Sequence, residues 1–106
     1  MPRHTTAHYA EAVKWDRLAA QQGHAEAQFN LGTMYGSGRG VRRDYGKAHM
    51  WYSLAIARSG DDVELRDRAT RNRDAIAGKM NTNNIAKAQK RASDWEAALK
   101  ERQQAQ

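Results

Sequence analysis

His4 and His8 are four residues apart, a separation that would place two imidazoles on one face of a helix and let them share a metal ion. No third or fourth ligand stands at a matching spacing, and a coincidental pair near the chain's start is the better reading. The absence of cysteine excludes thiolate metal sites and disulfides together. His24 and His49 read as surface residues, one at a helix start and one on a helix flank. The run Gly36-Ser37-Gly38-Arg39-Gly40 has the composition of a phosphate cradle. It follows a helical pattern rather than a strand and lacks the Gly-Lys-Ser/Thr ending, so it reads as a turn. Ser37, Ser53, Ser59 and Ser93 carry none of the strand-turn-helix context that exposes a nucleophile, and Asp61-Asp62 is accounted for by helix capping. Trp15, Trp51 and Trp95 could stack on bases, but all three lie on or beside apolar helical faces and are expected in the core. This leaves no catalytic, cofactor or metal residue assigned, and one surface nominated for ligand contact: the polar stripe Glu26, Asn30, Thr33 and Ser37, spaced four, three and four.

The elements that position this stripe are helical throughout. Tyr9, Ala12, Trp15 and Ala19 recur at helical spacing in a segment that Gly23 ends. In the next segment, Ala25 to about Gly36, Ala27, Leu31, Met34 and Tyr35 share a face while Phe29 points well away, so this helix must be packed on two sides. Gly32 in mid-helix costs about 1 kcal/mol relative to alanine, which implies that a neighbouring helix approaches its bare backbone. The glycine loop follows, its glycines free to take positive φ, with Val41 its only plainly buriable side chain. Asp44 then stands at an N-cap position before a helix that carries Tyr45, Ala48, Trp51, Tyr52, Ala55 and Ile56 and stops at Gly60. Val63 to Met80 is a looser helix along Leu65, Ala69, Ile76 and Met80. Asn81 or Thr82 caps a last helix with the cleanest apolar stripe of the chain, Ile85, Ala88, Ala92, Trp95 and Leu99.

Two of these segments repeat. Tyr9, Ala12, Trp15, Leu18 and Ala19 reappear 36 residues later as Tyr45, Ala48, Trp51, Leu54 and Ala55, and a fixed period in that range marks stacked helical repeats. The run Ala27…Leu31-Gly32…Tyr35-x-x-Gly38-x-Gly40-Val41-x-x-Asp44, followed by Lys47-Ala48-x-x-Trp51-Tyr52-x-x-Ala55 and Gly60, resembles the Sel-one-like repeat, a relative of the tetratricopeptide repeat. The resemblance covers one full repeat, 25–60, preceded by the second helix of another at 8–23. Residues 61–80 resemble a degenerate helix and 82–102 the helix that closes such arrays. One domain over 8–102 is expected, with 1–7 and 103–106 as flexible ends.

The resemblance implies an all-α fold, an α/α superhelix (solenoid) of about five helices. It further implies a non-catalytic scaffold or adaptor of the kind common in bacterial signalling, binding a protein or peptide on its concave face. First helices of each repeat line that face in the family, which is why the stripe Glu26, Asn30, Thr33 and Ser37 is nominated. A cysteine-rich branch has been linked to β-lactam hydrolysis, but its disulfide framework is missing here and that activity is not carried over. The matched array opens on a second helix without its partner. Tyr9, Val13 and Trp15 are therefore expected to form an uncovered apolar end, closed by homo-oligomerisation or, if the chain is a fragment, by more of the array.

The net charge of +6 and pI near 10 raise nucleic-acid binding as a competing function. The surplus is +3 in each half rather than gathered in a tail. Acids stand four residues before bases at Asp62/Arg66, Glu64/Arg68 and Asp67/Arg71, so much of the charge is expected to be neutralised within its own helix, which makes nucleic acid the weaker reading. No run approaches the roughly 18 apolar residues of a membrane helix, and no secretory signal opens the chain. A cytoplasmic address is favoured, with the periplasm open to a fragment.

Overall fold

Three helix starts in this chain are set by short polar side chains that accept from a main-chain amide three residues on. Asp44 Oδ1 accepts from the Lys47 amide at 2.9 Å, Asp62 Oδ1 from Leu65 at 3.0 Å and Asn81 Oδ1 from Asn84 at 2.8 Å, each satisfying an amide that lacks a helical partner. The computed structural model describes residues 6–105. Among them are five helices and no strand: α1 Thr6–Gln21, α2 Ala25–Ser37, α3 Tyr45–Ala57, α4 Val63–Ala77 and α5 Thr82–Gln104. The all-α architecture thus agrees with the periodicity. α2 runs one residue past Gly36 and is closed by Gly38, which with Gly40 takes a positive φ, whereas Gly36 stays helical. His4 and the rest of residues 1–5 lie outside the described residues.

α3 is the central helix and packs against α2, α4 and α5, while α1 packs on α2. Leu31 of α2 and Leu54 of α3 are fully enclosed, joined by Ala48, Ala55 and Ala69. Phe29 faces away from Leu31 and is buried against Tyr52, their rings 5.6 Å apart, so α2 is covered on two sides as its pattern requires. The bare backbone of Gly32 receives the Tyr52 ring: a Cβ at Gly32 would lie 2.7 Å from Tyr52 Cδ1. α5 lays Trp95 edge-on against Trp51 at 5.8 Å, and Arg58 binds Glu96 through Nε and Nη2 at 3.2 and 3.0 Å, fastening the end of α3 to α5.

Several expectations are corrected. Trp15 is not a core residue: it is 61% exposed, while Trp51, its counterpart one repeat on, is 7% exposed because α5 covers it. Val13 is not part of an uncovered end, being 2% exposed within the main core. Tyr9 is half-buried, because the α2–α3 loop folds onto α1 so closely that a Cβ at Gly40 would lie 2.5 Å from the Tyr9 carbonyl. The exposed apolar surface of α1 is Trp15 with Leu18, at 48%. His49 is buried, at 2% exposure, because α4 covers the α3 flank that bears it. None of the three expected acid–base pairs of α4 is an ion pair. Asp62 is occupied as a cap, Arg66 donates to the Gly60 carbonyl at 3.3 Å, and the Arg68 guanidinium lies 4.6 Å over the Phe29 ring. Among the described residues the ion pairs are Arg58–Glu96, Arg73–Asp74 and Lys90–Asp94.

Candidate docking surface

The stripe Glu26, Asn30, Thr33 and Ser37 follows one face of α2, and its neighbours hold that face from two sides. From α1, Asp16 Oδ1 accepts from Asn30 Nδ2 at a long 3.5 Å. From α3, the Tyr52 hydroxyl lies 2.9 Å from the Thr33 hydroxyl. Thr33 Oγ1 also donates to the Phe29 carbonyl at 3.2 Å, so Tyr52 is left as the donor of the hydroxyl pair. Ser37 Oγ donates to the Thr33 carbonyl at 2.6 Å. Asn30 and Thr33 are half-buried; Glu26 and Ser37 are exposed. The four residues are thus on one face, but the middle two already serve the packing, and the outer two carry the open surface.

Glu26 opens on a cleft of about 220 Å³ shared with Asp62, Glu64, Leu65 and Arg68 of the α3–α4 region. Arg68 stacked on Phe29 forms one wall of that cleft and links α2 to α4. Burial pushes the Asp16 carboxyl above its ordinary range; the Asn30 hydrogen bond draws it back and the Glu26 charge adds to the rise. Partial desolvation therefore outweighs the single long hydrogen bond.

Asp16 and Tyr52 were missed as contributors to this face, although the repeat itself points to them. They stand 36 residues apart, in the same slot of successive repeats, directly after Trp15 and Trp51. Gln28 was missed too: it is fully buried, and its Nε2 donates to the Ala20 carbonyl at 3.2 Å across the α1–α2 turn. His49, expected at the surface, is pushed below its ordinary value by burial and by the nearby Arg73 charge, against which Asp74 acts. Its Nδ1 is buried without a hydrogen-bond partner, as is Ser53 Oγ one turn further along α3. Among the described residues no group of three or more His, Cys, Asp or Glu could hold a metal ion, and no helix is long and apolar enough to cross a membrane.

The family pattern described as Sel1 repeat matches residues 9–24 and 25–59, the second span containing α2 and α3 entire. DAP3-binding cell death enhancer 1 of Rattus norvegicus is 40% identical over 65 residues, which is 61% of this chain and 13% of that protein. Chitin synthase regulator SKT5 of Malassezia restricta is 36% identical over 56 residues, 53% of this chain and 4% of that protein. The chain therefore spans a small part of the length of these curated relatives. No solved structure matches it.

Proposed function

Residues 9–59 belong to the Sel1 repeat family, whose members are generally non-catalytic protein-interaction modules, and on that premise we propose that this chain is a scaffold or adaptor that holds a protein or peptide segment along the polar face of α2. One observation carries the reading. Asp16 and Tyr52, the same slot of two successive repeats, brace the polar face of α2 from α1 and α3, so Asn30 and Thr33 are held in place before any partner arrives. A receptor ordered in advance loses little freedom on binding, which favours affinity from few contacts. Glu26 and Ser37, left exposed at the two ends of the stripe, are the residues that select the partner.

A photo-crosslinking residue placed at Glu26 or Ser37 should label the same partner, and one placed at the exposed Lys100 of α5 should not. The pair Glu26→Lys and Ser37→Arg, which disturbs no interhelical hydrogen bond, should reduce capture at least about tenfold while helicity is unchanged. Equal labelling from Lys100 would remove the α2 face from consideration.

A second association rests on a separate observation, the exposure of Trp15 and Leu18 one turn apart on α1. Two such side chains are covered efficiently by a second copy of the chain. Sedimentation should show a dimer that Trp15→Glu dissociates; an invariant monomer from low to high micromolar concentration would sink this contact.

A further inference from the structure

Because α3 runs back along α2, and α5 packs beside α3, the α2–α3 loop and the α4–α5 turn come to the same end of the molecule. They meet in a cleft of about 450 Å³, in which Asp44, Tyr45 and Gly46 face Lys79, Asn81, Asn84, Lys87 and Arg91. Asp44 also borders a neighbouring, smaller cleft of about 280 Å³, whose charged rim is Arg42, Arg43 and Lys47. Six cations thus border this pair of adjoining clefts, which together make one basic depression. Among the described residues the only carboxylate lining it is Asp44, and one of its oxygens is already taken by the Lys47 amide.

These cations are not held by acids. Arg43 and Lys79 lie 5.1 and 5.6 Å over the Tyr45 ring, and Lys47 lies 5.3 Å over Tyr35. None of the six belongs to an ion pair of the described residues. α5 adds the positive end of a 23-residue helix with no acidic residue in its first turn, and the Asn81 and Asn84 side chains stand beside it. A concave site lined by one sign of charge focuses potential and raises the local concentration of the opposite sign. Here the sign is positive and the partners are missing.

We propose that this depression is a docking site for an acidic peptide segment of a partner protein, separate from the face of α2. The occupant is a peptide rather than a nucleic acid for two reasons. The charges surround a bounded cleft instead of tracking a long groove. The two tyrosine rings are covered by cations and are not presented for base stacking, which single-strand recognition needs. Glutamate and aspartate side chains fit the donors on offer: three ammonium groups, three guanidinium groups and two side-chain amides.

The test uses the full chain and a fluorescein-labelled decapeptide of mixed Glu and Asp, with a Gln/Asn decapeptide as the neutral comparison. Fluorescence anisotropy at low ionic strength should show saturable binding of the acidic peptide alone. The double variant Lys87→Glu/Arg91→Glu should weaken it at least about tenfold. Lys100→Glu/Arg102→Glu, the same change of net charge at the far end of α5, should change it less than about twofold. All four positions are exposed, and circular dichroism verifies that both variants keep their helicity. Equal weakening by the two variants would reduce the effect to net charge and overturn the proposal. So would undetectable peptide binding, tighter binding of a single-stranded oligonucleotide through Lys87 and Arg91, or a dimer that the Lys87/Arg91 variant dissociates.

Discussion

Gly32→Ala tests the contact on which the α2–α3 pair is built. In an exposed helix interior the change would stabilise by about 1 kcal/mol through helix propensity. At Gly32 the new methyl would sit 2.7 Å from Tyr52 Cδ1 and 2.8 Å from Cε1, about 1 Å inside ordinary carbon–carbon contact. The ring has little room to retreat, since Tyr52 is 3% exposed, packed on Phe29, and tied through its hydroxyl to Thr33. Overpacking of this kind costs about 1–3 kcal/mol, and moving the ring sacrifices the hydroxyl pair for about 1 kcal/mol more. Set against the propensity gain, the net loss is about 2 kcal/mol, or about 9 °C in Tm for a chain of this size. Thermal and urea unfolding followed by circular dichroism at 222 nm measure it. In a Tyr52→Ala background the obstruction is gone and Gly32→Ala should stabilise by about 1 kcal/mol, a coupling of about 3 kcal/mol between the two positions. A Gly32→Ala protein that melts higher than the parent would refute the close-approach argument.

Three further outcomes follow from single sites. Asp62→Ala removes the acceptor for the Leu65 amide and should cost about 1 kcal/mol in urea unfolding, with Asp62→Asn losing far less. Gly40→Ala forces a side chain into positive φ and against the Tyr9 carbonyl, so it should cost more than about 2 kcal/mol and accelerate amide exchange in the first turns of α1. Burial and the Arg73 charge lower His49 in the folded state, so unfolding takes up a proton between that lowered value and 6.5. Its contribution is therefore complete above pH 6.5 and declines as pH falls from there toward the lowered folded value; stability curves against pH should lose that slope in His49→Gln. Asp16, raised in the folded state, acts with the opposite sign, losing stability as pH rises from 3.8 through its raised folded value, and it cancels from the comparison because the parent and His49→Gln share it.

What could be read from the sequence was whatever depends on local geometry or on the repeat. Glycine in mid-helix announced a close neighbour, and the neighbour is Tyr52. Asp44, and Asn81 as one of two candidate caps, were legible because a cap is set by the residue and its next three amides. The misreadings concern side chains whose fate is decided by a distant element. His49 looks like a flank residue until α4 is laid over it, and Arg68 looks like half of an α4 ion pair until α2 offers the Phe29 ring. Exposed acid–base pairs four apart gain only about 0.3–0.5 kcal/mol, so a cap or an aromatic face readily outbids them. The basic depression around Tyr45 is invisible for the same reason. Lys47 and Lys87 are forty residues apart in the chain, and only the packing of α5 beside α3 sets them at one end.

The repeat also explains why equivalent positions carry unlike residues. The slot after each tryptophan faces α2 from both sides, yet it holds Asp16 in α1 and Tyr52 in α3. On the α3 side the missing side chain of Gly32 lets the helices approach, and a flat ring with one polar tip fills that space while reaching Thr33. On the α1 side the slot is half exposed and meets Asn30, where a short carboxylate reaches the amide at the cost of a raised pKa. The tryptophans themselves differ the other way: the residue is the same and the cover is not, because α5 closes on Trp51 while, among the described residues, Trp15 stays 61% exposed. A period in the sequence therefore predicts which slots point at a neighbour. What occupies a slot depends on how near that neighbour comes, and in this chain α1 and α3 approach α2 differently.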